Sequence, residues 1–182
     1  MRAESTPLKD CYIIHDTIFK DNRGYFFESF NQNKFRDQTG LDVHFVQDNQ
    51  SSSTKGVLRG LHFQRGDWAQ AKLVRVLQGK VLDVAVDLRK DSPTYGQHFS
   101  VELTEDSGTQ FFVPRGFAHG FIVLSERATF FYKCDNFYNK ESEGGLAYND
   151  SQLNINWGLP DEELILSDKD KVNPLLKDIQ PI

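Results

Sequence analysis

The stretch QAKLVRVLQGKVLDVAVDLR, residues 70 to 89, alternates apolar and polar side chains on both sides of a Gln-Gly-Lys turn, and that period of two decides the fold class. In a strand, successive side chains point to opposite faces. Leu82, Val84, Val86 and Leu88 therefore share one face and Asp83 and Asp87 the other, which predicts a half-buried strand. Lys72 has the parity of Val74 and Val76. Either its ammonium points inward with them, or it sits at an exposed strand end and reaches solvent. A buried lysine without a partner is rare.

Similar short runs lie on either side: VLRGLHFQ (57–64), QHFSVEL (97–103), GTQFFVP (108–114), HGFIVLS (119–125) and ATFFYKC (128–134). Segments rich in Gly, Pro, Asp and Ser separate them, so the pattern reads as many strands with regular turns, a sandwich or barrel. NQNKFRDQTG (31–40) predicts one short helix, capped by Asn31 and stopped by Gly40. A second helical stretch is expected in the C-terminal tail, which Trp157 and the Leu-Ile-Leu-Ser run (164–167) would anchor. NQSSSTKG (49–56) reads as a polar loop.

With 182 residues, 38% of them hydrophobic, the chain is expected to form one domain over residues 1–182 with one substantial core. A net charge of -5 argues against a broad nucleic-acid surface. The two cysteines, Cys11 and Cys134, form no paired motif, so neither a disulfide framework nor a thiolate zinc site is indicated. No apolar leader or long apolar run is present in these residues, and a cytoplasmic protein without membrane contact is the expectation.

VLRGLHFQ sets Arg59 and His62 among apolar residues, where a charge is costly. A lone histidine there is either a hydrogen-bonded core residue or a catalyst. Strict alternation puts Arg59 and His62 on opposite faces. They share a pocket only if Gly60 marks a bulge that shifts the register, and that bulge is predicted.

Pro114, Gly116 and His119 in FFVPRGFAHGFIV (111–123) have the spacing of the second motif of cupin barrels, and this segment resembles a cupin. Many cupins hold a metal through two histidines and a glutamate of the first motif plus this last histidine. Here GLHFQ (60–64) has Gln64 where the second histidine of HxH stands, and no glutamate follows at the usual interval, so no metal centre is expected.

Taken in order, RGYFFESF (23–30), FVQDNQSSSTKGVLRGLHFQ (45–64), QAKLVRVLQGKVLDVAVDLRKDSPTYG (70–96), VPRGFAHGF (113–121), YKCDNFY (132–138) and LSDKD (166–170) carry a resemblance that covers nearly the whole chain. Together they resemble the dTDP-4-dehydrorhamnose 3,5-epimerases, metal-free cupin-type enzymes of deoxysugar nucleotide biosynthesis. The fold this implies is all-β, a cupin-type jelly-roll barrel or sandwich with a few short helices and a C-terminal tail packed on it. The activity it implies is inversion at C3 and C5 of dTDP-4-dehydro-6-deoxy-D-glucose to dTDP-4-dehydro-L-rhamnose, with no cofactor.

By that resemblance His62 is the base, Lys72 holds the C4 oxyanion, and Tyr132 is the acid, although Tyr132 on its own also reads as a core aromatic. Asp170 looks like the partner of His62. Asp168 has the same chemistry two residues earlier, and only alignment to the family's final Lys-Asp favours Asp170. Substrate contacts are implied for Arg23, Glu28, Gln47, Asn49, Arg59, His119, Glu143 and Lys169, with Tyr138 stacking on thymine. A homodimer is also implied, its N-terminal segment (11–30) pairing with the other subunit and Phe19 or Arg23 reaching the neighbouring site. A mono-epimerase or ketoisomerase on the same barrel, a non-catalytic sugar- or nucleotide-binding cupin, and a metal-dependent cupin oxygenase are the rivals.

Overall fold

The computed structural model describes residues 1–182 and contains thirteen strands and one α-helix. In chain order these are β1 (Arg2–Ser5), β2 (Tyr12–His15), β3 (Phe19–Asp21), β4 (Gly24–Phe26), α1 (Gln32–Thr39), β5 (Gln47–Thr54), β6 (Leu58–Gln64), β7 (Lys72–Gln78), β8 (Lys80–Asp87), β9 (His98–Thr104), β10 (Thr109–Val113), β11 (Phe117–Val123), β12 (Arg127–Cys134) and β13 (Glu143–Gly145). Two antiparallel sheets, ordered β1-β2-β10-β7-β12-β5 and β13-β6-β11-β8-β9, form a jelly roll, and β3-β4 is a separate hairpin.

Alternation along the strands sorts side chains into layers. Val74, Val76, Phe111, Phe121 and Phe130 fill the space between the sheets. Leu73, Phe112 and Ile14 face outward from the first sheet and are covered by Phe35 of α1. This helix begins and ends as its sequence predicts: the Asn31 side chain accepts from Lys34 N, and Gly40 closes the last turn in the left-handed region. On the outer face of the second sheet Leu58, Leu61, Val84 and Ile122 pack against the tail residues Leu153, Trp157, Leu176 and Ile179.

Three expectations need correction. β8 is buried on both faces, because the tail covers Leu82, Val84 and Val86 while Val81 and Ala85 face the core between the sheets; Asp83 points into that core and is fully buried. Most of the polar run 49–56 is strand rather than loop, since it lies in β5, paired with β12 along its length. Its inward polar side chains meet a polar cavity instead of an oily core, so the usual strand pattern is absent. The tail holds only short 3-10 turns, at Asp161–Glu163, Asp170–Val172 and Leu176–Asp178. Pro160, Pro174 and Pro181 interrupt it, and proline removes a helical donor.

The bulge at Gly60 is present. Between the pairs His119–His62 and Phe121–Arg59, β11 contributes one residue and β6 two. Gly60 has φ 130°, and a Cβ there would lie 2.6 Å from Gly120 Cα, so only glycine fits without displacement. The extra residue lets Leu58, Leu61 and Phe63 face outward while Arg59 and His62 both turn to the cavity between the sheets.

Candidate active site

That cavity, of about 620 Å³, opens between the sheets and is lined by Arg59, His62, Lys72, His119, Tyr132 and the tail residues Lys169 and Asp170. A second recess of about 280 Å³ shares Asn49, His62, Lys72 and Tyr132 with it and adds Gln47, Tyr138 and Glu143. Eleven of the sequence-derived candidates thus meet in one region.

His62 projects from β6 and its Nε2 lies 2.6 Å from Asp170 Oδ1. Asp170 is 4% exposed and stands in the 3-10 turn that the tail lays across the cavity. Asp168 is fully exposed and pairs with Lys171, so Asp170 is the carboxylate in contact with His62. With Nε2–H donating to the carboxylate, Nδ1 is left as the free lone pair. Burial pushes the imidazole below its ordinary pKa, and the charges of Lys72 and Lys169 push the same way, outweighing the Asp170 hydrogen bond and charge. The ring is therefore neutral at neutral pH, the form in which an imidazole can accept a proton.

A pH dependence follows. With His62 in the role of base that the resemblance implies, it must be deprotonated to act, so its lowered pKa extends activity toward acid, and the acid limb of kcat/KM is expected below the ordinary imidazole range. Asp170→Asn removes the group that raises the His62 pKa, so that limb should move further toward acid. At the same time kcat should fall roughly 10²–10⁴-fold as the ring loses its tautomer and orientation. Initial rates across pH check both, and a limb that moves toward alkali in the variant contradicts the assignment.

Lys72 begins β7 and points inward, with Nζ 6.0 Å from the Tyr132 ring centroid. Burial lowers its pKa, and Cys134, Asp83 and Glu143 oppose that shift. Tyr132 comes from β12, in the sheet opposite His62. Burial raises its phenol, so it stays protonated and can donate. Arg59 holds its guanidinium against Ser53 Oγ through Nε and Nη2, at 3.2 and 3.1 Å. Gln47 Nε2 donates to Asn49 Oδ1 at 3.1 Å on the cavity side of β5. Tyr138 donates its hydroxyl to Glu143 Oε2 at 3.1 Å, and Lys169 Nζ lies 2.6 Å from the same oxygen. Against the pull of burial, those two partners hold the Glu143 carboxyl below its usual range.

His119 stands beside His62 in the sheet, and its Nε2 lies 2.8 Å from Asp83 Oδ1. Asp83 escaped the sequence reading because an alternating Asp was placed on a solvent face. The available signal was that Val81 and Ala85 share its parity, so both faces of the strand were apolar. Ser53 was hidden in a run that read as loop.

Two candidates lie elsewhere. Arg23 is on the β3–β4 hairpin, paired with Asp21 at 2.5 Å, and Glu28 pairs with Lys34 at 2.8 Å; neither lines the cavity of its own chain. No helix is long and apolar enough to cross a membrane.

The family model described as dTDP-4-dehydrorhamnose 3,5-epimerase matches residues 5–178. A Shigella flexneri protein of that name is 51% identical over 170 residues, 93% of each chain. Among solved structures, the dTDP-4-dehydrorhamnose 3,5-epimerase of Elizabethkingia anophelis NUHP1 is 60% identical, with TM-score 0.95 over 98% of this chain and 97% of that one. The dTDP-6-deoxy-D-glucose-3,5-epimerase of Legionella pneumophila, in complex with dTDP-4-keto-L-rhamnose, is 47% identical, with TM-score 0.93 over 98% and 94%.

Proposed function

We infer the reaction from one premise: the chain belongs to the dTDP-4-dehydrorhamnose 3,5-epimerase family. It inverts C3 and C5 of dTDP-4-dehydro-6-deoxy-D-glucose, giving dTDP-4-dehydro-L-rhamnose. The observation that carries the mechanism is the pairing of a neutral His62, backed by buried Asp170, with a protonated Tyr132 on the opposite sheet of one cavity.

Both C3–H and C5–H flank the C4 ketone, so loss of either proton gives an enolate. His62 Nδ1 takes the proton and becomes an imidazolium stabilised by Asp170. The electron pair moves to the C4 oxygen, where the Lys72 ammonium stabilises the developing negative charge. Tyr132 returns a proton to the opposite face, which inverts the centre, and solvent reprotonates the phenolate while His62 loses its proton to water. Arg59 and Lys169 bind the diphosphate, Arg59 through a guanidinium already oriented by Ser53. His119, Gln47, Asn49 and Glu143 contact the sugar and nucleoside, and Tyr138 stacks on thymine.

Two features support a homodimer. β1 is an open edge of the six-stranded sheet, and the β3–β4 hairpin exposes Phe19, Tyr25 and Phe26. Placed over the partner's cavity, that hairpin brings Arg23 to the substrate. Light scattering on the eluting active species is expected to give twice the chain mass, and a fully active monomer removes this assembly.

Turnover of dTDP-4-dehydro-6-deoxy-D-glucose in heavy water, followed by proton NMR, tests the reaction. Deuterium at both C3 and C5 of the rhamno product is expected. Label at a single carbon indicates a narrower epimerase, and tight dTDP binding without any exchange indicates a binding module.

A further inference from the structure

Tyr138 is 55% exposed, and it lies between the end of β12 and the 3-10 turn Lys140–Ser142, outside any sheet ladder. Neither packing nor regular pairing holds it in place. Polar contacts do. Gln64, 5% exposed at the end of β6, donates from Nε2 to Phe137 O at 3.1 Å and to Trp68 O at 2.6 Å, and its Oε1 accepts from Asn139 N at 2.7 Å. Its amide thus grips the peptide groups on both sides of Tyr138. Two donors facing carbonyls and one acceptor facing an N–H fix the amide orientation. Gln47 Oε1 accepts from Tyr138 N itself at 3.1 Å. In the sheet, Gln64 stands directly opposite Glu143, the residue that accepts the Tyr138 hydroxyl.

We propose that Gln64 is a positioning residue for nucleotide recognition: its side-chain amide clamps residues 137 and 139 so that the Tyr138 ring is presented to the base as a preformed platform. The proposal rests on the reading that Tyr138 stacks on thymine. The position that metal-binding cupins give to a histidine here carries an amide, which supplies two N–H donors beside one acceptor; a neutral imidazole has a single donor and a carboxylate has none. Ordering an exposed aromatic before binding reduces the entropy lost on binding.

Calorimetric titration of the full chain with dTDP and with inorganic pyrophosphate separates the base-dependent part of affinity from the phosphate-dependent part. Gln64→Leu should weaken dTDP about 10-fold, within the range of one lost base–aromatic stack, with pyrophosphate affinity unchanged. In turnover the rise in KM should exceed any fall in kcat. Gln64→Glu has the same size but sets a carboxylate oxygen against two carbonyls; it should weaken dTDP as well and stands in if the leucine variant does not fold. On a Tyr138→Ala background, Gln64→Leu should cause no further loss.

Unchanged dTDP affinity in both Gln64 variants, equal losses for dTDP and pyrophosphate, or additive losses in the double variant overturn the proposal. Tyr138→Ala distinguishes the sources of failure. If it leaves the ratio of the two affinities unchanged, the stacking reading falls and the clamp with it; if it collapses the ratio while the Gln64 variants do not, the clamp alone falls.

Discussion

In heavy water, His62→Ala is expected to lose solvent exchange at C3 and C5 by roughly 10²–10⁴-fold, the usual contribution of a positioned general base, while dTDP still binds. The two halves of that result come from different parts of the site. Abstraction needs a neutral imidazole with a free Nδ1, and burial with the Asp170 contact at 2.6 Å provides it. In the proposed reading, affinity for the nucleotide rests on Arg59, Tyr138 and Lys169, of which Lys169 also acts on His62 through its charge. Undiminished exchange at both carbons removes His62 from its role. Loss of binding together with exchange shows a collapsed cavity instead, and a thermal melt separates that outcome.

Lys72→Met should lower kcat by about 10²–10³-fold, the cost of removing one preorganised oxyanion donor. A pH profile adds a second signature. The Lys72 charge is one of the groups that depress His62, so its loss lets the imidazole pKa rise and moves the acid limb toward neutrality. The alkaline limb due to the ammonium, which burial sets below the ordinary lysine range, should disappear. A methionine variant with normal kcat and an unmoved acid limb contradicts both the oxyanion role and the placement of the charge.

Period-two runs such as 81–88 were enough to find the central strands, because such a run carries a wholly apolar face, here Leu82, Val84 and Val86. The caps of α1 were legible because capping is local: Asn31 and Gly40 act within a turn of the helix. The bulge at Gly60 was legible from a conflict, two polar residues of opposite parity that a shared pocket required to agree. What stayed hidden depends on what covers a face. Asp83 read as solvent-facing because its face mixes two aspartates with Val81 and Ala85, and that apolar pair was the single hint that the tail covers the opposite face. β5 read as loop because its inner face borders a polar cavity.

Within the site, parity with Val74 and Val76 left Lys72 open between the cavity and solvent, and the cavity is where it points. Asp170 followed from resemblance alone, since it meets His62 across 108 residues of sequence and no local pattern encodes that contact. Glu143 and Lys169 are similar, brought together by a short strand and the tail. Arg23 and Glu28 sit away from the cavity of their own chain, and no local pattern in a single sequence signals that placement.

In the proposed mechanism, the proton removed from one face of the sugar is replaced on the other by Tyr132. Tyr132→Phe in heavy water tests it most directly, with recovered substrate and product both read by NMR. Deuterium is expected still to enter the substrate through His62, with the original configuration kept, while the doubly inverted product falls at least about 10²-fold, the lower range for a general acid. Formation of the rhamno product at the wild-type rate, labelled at C3 and C5, contradicts it.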